Sequence, residues 1–128
     1  MKKYRILIVE DDYLINRFLM EILSSTHTLK STFCGQDALS IAREWQPDIV
    51  LLDVMMPGMD GFEVCQELKN NPITQNAIVI YLSAKHETAD RLKGYECGGD
   101  DFIAKPFDPL ELQAKVAAMC KCVEERKV

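Results

Sequence analysis

Short segments with the composition of strands alternate five times with segments of helical periodicity, and this alternation limits the fold more than any other feature of the sequence. Residues 5–9, 48–52 and 77–82 are nearly continuous apolar runs, which is typical of strands buried on both faces of a parallel sheet. Residues 29–33 are more polar, so we expect that strand in a less buried place. Residues 101–104 are predicted as a short fifth strand.

The segments between these strands are predicted to be helices, over residues 14–23, 37–45, 62–68, 87–95 and 110–125. Apolar residues that we expect to face the core recur at helical spacing in the first helix (Leu14, Phe18, Leu19, Ile22) and in the last (Leu112, Val116, Met119, Val123). Five strand–helix repeats with short connections predict an α/β fold with a doubly wound, five-stranded parallel sheet. The 128 residues fit one domain over residues 1–128.

Composition and charge narrow the class of protein. The net charge of −5 argues against a nucleic-acid surface, which needs a basic patch. The first residues lack the pattern of a signal peptide, and every apolar run is too short to cross a membrane. The five cysteines are odd in number and irregularly spaced, so we expect free thiols and a cytoplasmic location. Cys120 and Cys122 lack a second ligand pair at a spacing that would suit zinc.

Polar residues follow four of the predicted strands at the point where each strand ends. In open α/β sheets the functional crevice lies at the carboxyl ends of the strands, so these residues are expected at one rim. They are Glu10, Asp11 and Asp12 after the first strand, Asp53 after the third, Ser83 after the fourth and Lys105 after the fifth.

The acidic residues at this rim indicate a metal site. Glu10, Asp11 and Asp53 would bring several negative charges together, which is costly unless they are compensated. Mg²⁺ fits this need because it takes carboxylate oxygens and water as ligands. Asp12 stands at the start of the first helix and is predicted to cap it instead. Asp53 precedes a loop, so capping does not explain it.

A carboxylate held by a metal can attack a phosphoryl group and form an aspartyl phosphate. Such a transfer needs an in-line nucleophile, neutralisation of charge and donors to the phosphoryl oxygens. Asp53 suits the first need, while Lys105 and the Ser83 hydroxyl suit the others. These three residues are therefore the candidate catalytic residues.

Four segments of the chain together resemble the receiver domain of two-component response regulators, including the chemotaxis regulators. They are ILIVEDD (6–12), DIVLLDVMMPGMDGFEV (48–64), IVIYLSA (78–84) and DDFIAKPF (100–107), in the order and at separations similar to those of the family. The resemblance extends along the whole chain and implies the flavodoxin-like (βα)5 receiver fold. It also implies a phosphoacceptor signalling module of a two-component phosphorelay, either standing alone or forming one domain of a longer protein.

The resemblance implies a role for each residue of the metal site. Asp53 matches the phosphoacceptor of the family. Asp11 matches a direct ligand of Mg²⁺, while the position of Glu10 tends to act through water. Met55 matches the position whose backbone carbonyl completes the metal site, so its side chain is not a ligand.

The resemblance also implies a conformational switch. Lys105 matches the lysine that pairs with the phosphoryl group, and its peptide bond to Pro106 is typically cis in the family. Ser83 matches the switch hydroxyl and Phe102 the aromatic switch position. A phosphoryl group would draw Ser83 towards it, and the space that Ser83 leaves would admit the Phe102 ring.

The partners implied are a sensor histidine kinase or phosphotransfer protein as the donor, and a downstream effector or attached output domain as the reader. A homodimer through the switch face stays open, and no contact with nucleic acid or membrane is expected. The receiver would catalyse only its own phosphorylation and dephosphorylation. The alternative is a small Mg²⁺-dependent aspartyl-phosphate phosphatase, but such enzymes usually carry a second acid where this chain has Met55.

Overall fold

A computed structural model of the chain describes residues 2–84 and 88–126. Within those residues, five parallel strands form one sheet in the order β2-β1-β3-β4-β5. The strands are β1 (Arg5–Val9), β2 (Thr28–Thr32), β3 (Ile49–Asp53), β4 (Ile78–Ser83) and β5 (Asp101–Ala104). The helices are α1 (Tyr13–Leu23), α2 (Gly35–Trp45), α3 (Gly61–Lys69), α4 (Thr88–Glu96) and α5 (Pro109–Arg126). The predicted doubly wound α/β fold is confirmed.

Helices cover both faces of the sheet, and alternate strand residues form two separate cores. Ile49, Leu51 and their neighbours pack against α1 and α5 on one face. Val50, Leu52 and their neighbours pack against α2 and α3 on the other. The three central strands are therefore buried on both sides, which explains their nearly continuous apolar composition.

The predicted buried face of α1 is wrong in part. Leu14 and Phe18 were expected in the core but are 76% and 44% exposed. Leu19 is buried as predicted and Ile22 is partly buried, while Leu23 and the polar Asn16 are buried without having been predicted. Overlapping sets of apolar residues at helical spacing are present in this segment, and contact with the sheet selects the set that includes a polar residue.

The predicted face of α5 needs one correction. Leu112, Val116 and Val123 are buried as expected, and Cys120, which was not in the predicted set, is buried with them. Met119 packs only partly buried at the edge of the same core. The two residues are adjacent in the helix and contact the same core.

Some predicted bounds also differ from the structure. Asp53 and Ser83 are the last residues of their strands rather than the first residues after them. The second helix was predicted from residue 37, and α2 begins two residues earlier, at Gly35. The predicted start of the fourth helix at residue 87 lies outside the described residues.

No helix in the described part of the chain is both long enough and apolar enough to cross a membrane.

Asn16 fastens α1 to the carboxyl ends of two strands. Its side chain is 1% exposed. The Nδ2 group donates to the backbone oxygen of Glu10 at 3.1 Å and to that of Thr32 at 3.2 Å. Both carbonyls lie where the chain leaves a strand, so the Asn16 amide holds the backbone that carries the first acidic residues of the rim.

We expect Asn16→Leu to lower the free energy of unfolding by about 1–3 kcal/mol, because two buried carbonyls lose a donor. Urea unfolding measures this change. The matched control is Gln113→Leu, which removes an exposed side-chain amide that donates to the Ile22 oxygen at 3.3 Å. Its effect should stay within about 0.5 kcal/mol. Equal stability of the two variants would contradict the role of Asn16.

Candidate functional site

The carboxyl ends of the central strands bring three acidic residues together, as predicted. One carboxylate oxygen from each of Glu10, Asp11 and Asp53 lies within 4.8 Å of the other two. Glu10 is fully buried and Asp53 is 3% exposed, whereas Asp11 is exposed to solvent. The register of the parallel sheet causes this convergence, because β1 and β3 are direct neighbours and end at the same edge.

Lys105 lies between two of these carboxylates. Its Nζ is 2.5 Å from Oε1 of Glu10 and 3.1 Å from Oδ1 of Asp53. Its backbone N–H donates to the Ser83 oxygen at 2.9 Å, which ties the end of β5 to the end of β4. The Lys105–Pro106 peptide bond is cis, as the resemblance implied.

Backbone N–H groups hold the carboxylates in place. Glu10 accepts a hydrogen bond at Oε2 from the Asp12 N–H at 3.1 Å, and Asp53 accepts one at Oδ1 from the Met55 N–H at 3.3 Å. The Asp12 side chain accepts from the Ile15 N–H at 3.1 Å and is the N-cap of α1. The prediction that Asp12 serves as a helix cap is confirmed.

Asp53 carries its negative charge at a cost. Burial, followed by its hydrogen bonds with Glu10 and Asp11 and the charge of Glu10, raises the pKa of Asp53 to about 7, against the opposing effect of Lys105. Burial alone would lower the pKa of Lys105, but the Glu10 hydrogen bond and the charges of Asp53 and Glu10 outweigh it and raise that pKa. The lysine therefore stays cationic, and its single positive charge balances only part of the negative charge of the three carboxylates.

The donor set fits a hard divalent cation. Three carboxylates supply oxygen ligands, and one ammonium group offsets only part of their charge. The Met55 side chain is 57% exposed and ends in a soft thioether, so any contribution from Met55 falls to its backbone carbonyl. The geometry and chemistry of these residues are compatible with the predicted Mg²⁺ site.

Ser83 lies on β4, the strand beside Asp53, and Phe102 lies on β5, the next strand outwards. Ser83 is 1% exposed at the end of β4, one position beyond Leu82, the β4 partner of Asp53 in the register. Phe102 is 8% exposed, with its ring centroid 4.8 Å from that of Tyr81 and 5.7 Å from that of Tyr95. The Phe102 ring thus packs under α4 and is already turned inwards.

Asn16 was missed by the interpretation of the sequence. Its signal was present, since Ile15, Leu19 and Leu23 define a helical face that contains position 16. A polar residue within such a face indicates a buried hydrogen bond, and here that bond supports Glu10.

Comparisons with known proteins place the chain among receiver domains. The family model described as "Response regulator receiver domain" matches residues 6–117. "Probable transcriptional regulator ycf27" of Porphyridium aerugineum is 39% identical over 126 residues, which are 98% of this chain and 51% of that protein. "Response regulator PleD" of Caulobacter vibrioides is 42% identical over 118 residues, 91% of this chain and 26% of that protein.

A solved structure has the same fold over nearly its whole length. The "BeF3 Activated DrrB Receiver Domain", from the Thermotoga maritima response regulator DrrB, aligns with a TM-score of 0.85 and 32% identity. The alignment covers 94% of this chain and 99% of that one. The chain spans about half the length, or less, of the curated relatives reported above.

The raised pKa of Asp53 predicts how stability depends on pH in metal-free buffer. The pKa is 3.8 for an unperturbed aspartate and about 7 in the folded protein, so between these values the folded state keeps a proton that the unfolded state has lost. The free energy of unfolding contributed by Asp53 therefore falls as the pH rises from about 4 to about 7. Asp53→Asn should gain stability relative to the wild type between pH values near 5 and near 8.

Urea unfolding with a chelator at both pH values measures the difference. The control is Asp37→Asn, which changes an exposed acid on α2 and should shift stability equally at both pH values. A constant difference between the wild type and Asp53→Asn would contradict the raised pKa.

Proposed function

Because the chain belongs to the family of response regulator receiver domains, we propose that Asp53 is the residue that accepts the phosphoryl group in this two-component signalling module. The observation that supports it best is the pairing of a buried Asp53 carboxylate with Lys105 at 3.1 Å, beside the carboxylates of Glu10 and Asp11. No other strand end in the described residues combines a nucleophilic carboxylate, a cation and a cluster of oxygen ligands.

In the proposed transfer, an Asp53 carboxylate oxygen attacks phosphorus in line with the bond to the donor. A phosphorus–oxygen bond forms, the phosphorus–nitrogen bond to a donor histidine breaks, and the imidazole nitrogen keeps the electron pair of that bond. Lys105 pairs with the charge on the phosphoryl oxygens, and the Ser83 hydroxyl donates to one of them. Asp53 must be ionised to attack, so added positive charge near the carboxylate favours the reaction.

We propose that Asp11 and Asp53 hold Mg²⁺ directly, that Glu10 holds it through water and that the Met55 carbonyl completes the site. When bound, the ion supplies the positive charge that the three carboxylates lack and that the phosphoryl group also needs. Lys105 contacts both Glu10 and Asp53 in this structure. When Asp53 carries the phosphoryl group, Lys105 would contact that group in place of the Asp53 carboxylate and keep its contact with Glu10.

The proposed switch uses Ser83 and Phe102. A charge-assisted hydrogen bond draws the Ser83 hydroxyl to the phosphoryl group, and the space that Ser83 leaves favours the inward position of the Phe102 ring. The exposed Leu92 and Tyr95 on α4 belong to the surface that changes. A downstream effector, an attached output domain or a second copy of the chain would read that surface.

A response regulator receiver is phosphorylated by a kinase, and we propose a histidine kinase or a phosphotransfer protein as the donor for this chain, in the cytoplasm. We propose that the chain transforms no other substrate and catalyses only its own phosphorylation and dephosphorylation. The alternative, a phosphatase, needs an acid to protonate the leaving group, and Met55 provides none at the position two residues after Asp53.

Incubation with acetyl phosphate and Mg²⁺ should add one phosphoryl group to the wild-type chain, because Asp53 then has a small activated donor. Intact mass spectrometry measures the adduct. The adduct should be absent from Asp53→Asn and from a sample with chelator. An adduct of the same yield on Asp53→Asn would show that another residue accepts the phosphoryl group.

Mg²⁺ should stabilise the wild-type chain against heat, by about 1.4 kcal/mol when its concentration is ten times the dissociation constant. Asp11→Asn should lose most of this gain, because it removes a proposed ligand. Asp12→Asn is the matched control, since asparagine caps a helix as well as aspartate does and the cap is not a ligand. Equal gains in the two variants would remove Asp11 from the site.

A further inference from the structure

Helix α4 has almost no apolar anchor in the core. Among its residues with described side chains, 89–96, Gly94 is the one that is buried, and it has no side chain to bury. The large apolar residues of this helix are only partly covered: Leu92 is 56% exposed, and Tyr95 is 48% exposed although its ring touches that of Phe102. The attachment of α4 therefore depends largely on contacts between its backbone and side chains of the sheet.

Tyr81 is the residue of the sheet that makes such a contact. This residue of β4 is fully buried, and its hydroxyl donates to the Gly94 oxygen at 2.9 Å. Burial, followed by a contact with Cys65, raises the pKa of Tyr81, so the hydroxyl remains a donor at any ordinary pH. The bond thus joins the last turn of α4 to the strand that ends in Ser83.

The glycines opposite Tyr81 allow α4 to lie this close. A Cβ atom on Gly94 would lie 2.8 Å from Cε2 of Tyr81 and 2.6 Å from Cζ of Phe102, and one on Gly99 would lie 2.1 Å from Cε2 of Tyr81. The backbone at Gly94 therefore covers both aromatic rings. While Gly94 stays in this place, Phe102 is enclosed between α4 and Tyr81.

Tyr81 is also adjacent to both parts of the proposed switch. It pairs with Phe102 in the register of β4 and β5, and it lies two residues before Ser83, on the same face of the sheet. We propose that the Tyr81 hydroxyl is a positioning group that holds α4 over Phe102 and so favours the arrangement with the Phe102 ring inside. The inference rests on the proposed function, in which phosphorylation favours that same arrangement.

The consequence is a defined effect on ligand affinity. If Tyr81 pre-organises the inward arrangement, removal of its hydroxyl leaves a larger share of molecules with α4 displaced, and a phosphoryl analogue must then convert them on binding. The net value of one hydrogen bond corresponds to about a two- to tenfold change in an equilibrium constant.

Beryllofluoride binding in saturating Mg²⁺, measured by calorimetry on the whole chain, tests this inference. Tyr81→Phe should weaken the affinity by about two- to tenfold. Tyr4→Phe, the same chemical change on a buried tyrosine whose hydroxyl donates to Glu124 of α5 at 2.8 Å, should leave the affinity unchanged. Ile49→Val, a buried change on β3 that lowers stability without contacting α4, should leave it unchanged too, which separates positioning from general destabilisation.

Hydrogen exchange on the free proteins gives a second readout. In Tyr81→Phe the amides of residues 92–97 should exchange about two- to tenfold faster while those of α5 keep their rates. An affinity equal to or tighter than that of the wild type, or unchanged exchange in α4, would overturn the role of Tyr81. A wild-type chain that fails to bind beryllofluoride would overturn the proposed function itself, which makes the two failures distinguishable.

Discussion

Repulsion among the carboxylates at one edge of the sheet is the interaction on which the rest of the structure depends. Glu10 and Asp53 are buried, Asp11 adds a third charge within 4.8 Å, and Lys105 is the cation that contacts two of them. A buried charge is costly unless it is paired and hydrogen-bonded, which is why the pKa of Asp53 is raised. The folded chain therefore holds a site that gains from any further positive charge, and a divalent cation or an added proton are the simplest sources.

The fold tolerates the electrostatic cost of the site because the strands below this edge of the sheet are packed with apolar residues. The central strands are apolar on both faces and end in register, so the charged groups of the site lie at the last residue of a strand or directly after it. Asn16 shows how closely the two requirements meet, since a polar side chain in the core side of α1 holds the backbone of Glu10. Packing energy from the apolar layers thus supports an edge that would not be stable alone.

The sequence allowed the sheet and most of the site to be predicted, because strands of period two and their terminal residues are local patterns. Asp53 and Lys105 were predicted to meet since parallel strands end at one edge. The exposed faces of Leu14 and Phe18 could not be predicted, because several overlapping apolar faces satisfy the same helical period. The hydrogen bond of Tyr81 could not be predicted either, because its acceptor is a backbone oxygen of α4 and no sequence pattern indicates which residue of that helix lies opposite Tyr81.

The weak attachment of α4 is understandable as a requirement of signalling. A phosphoryl group can shift a conformational equilibrium only by the difference between its affinities for the two arrangements. A shift of their populations from about 1:99 to about 99:1 needs about 5.5 kcal/mol. A helix anchored by several buried apolar side chains would resist with a comparable or larger energy, since each is worth about 1.5–3 kcal/mol. With Gly94 as the buried residue among residues 89–96, the attachment of α4 lies within the reach of that ligand energy. The rigid site and the weakly attached helix are therefore complementary. The electrostatic change occurs at the site, and the free energy that holds α4 in place is small enough for that change to move the helix.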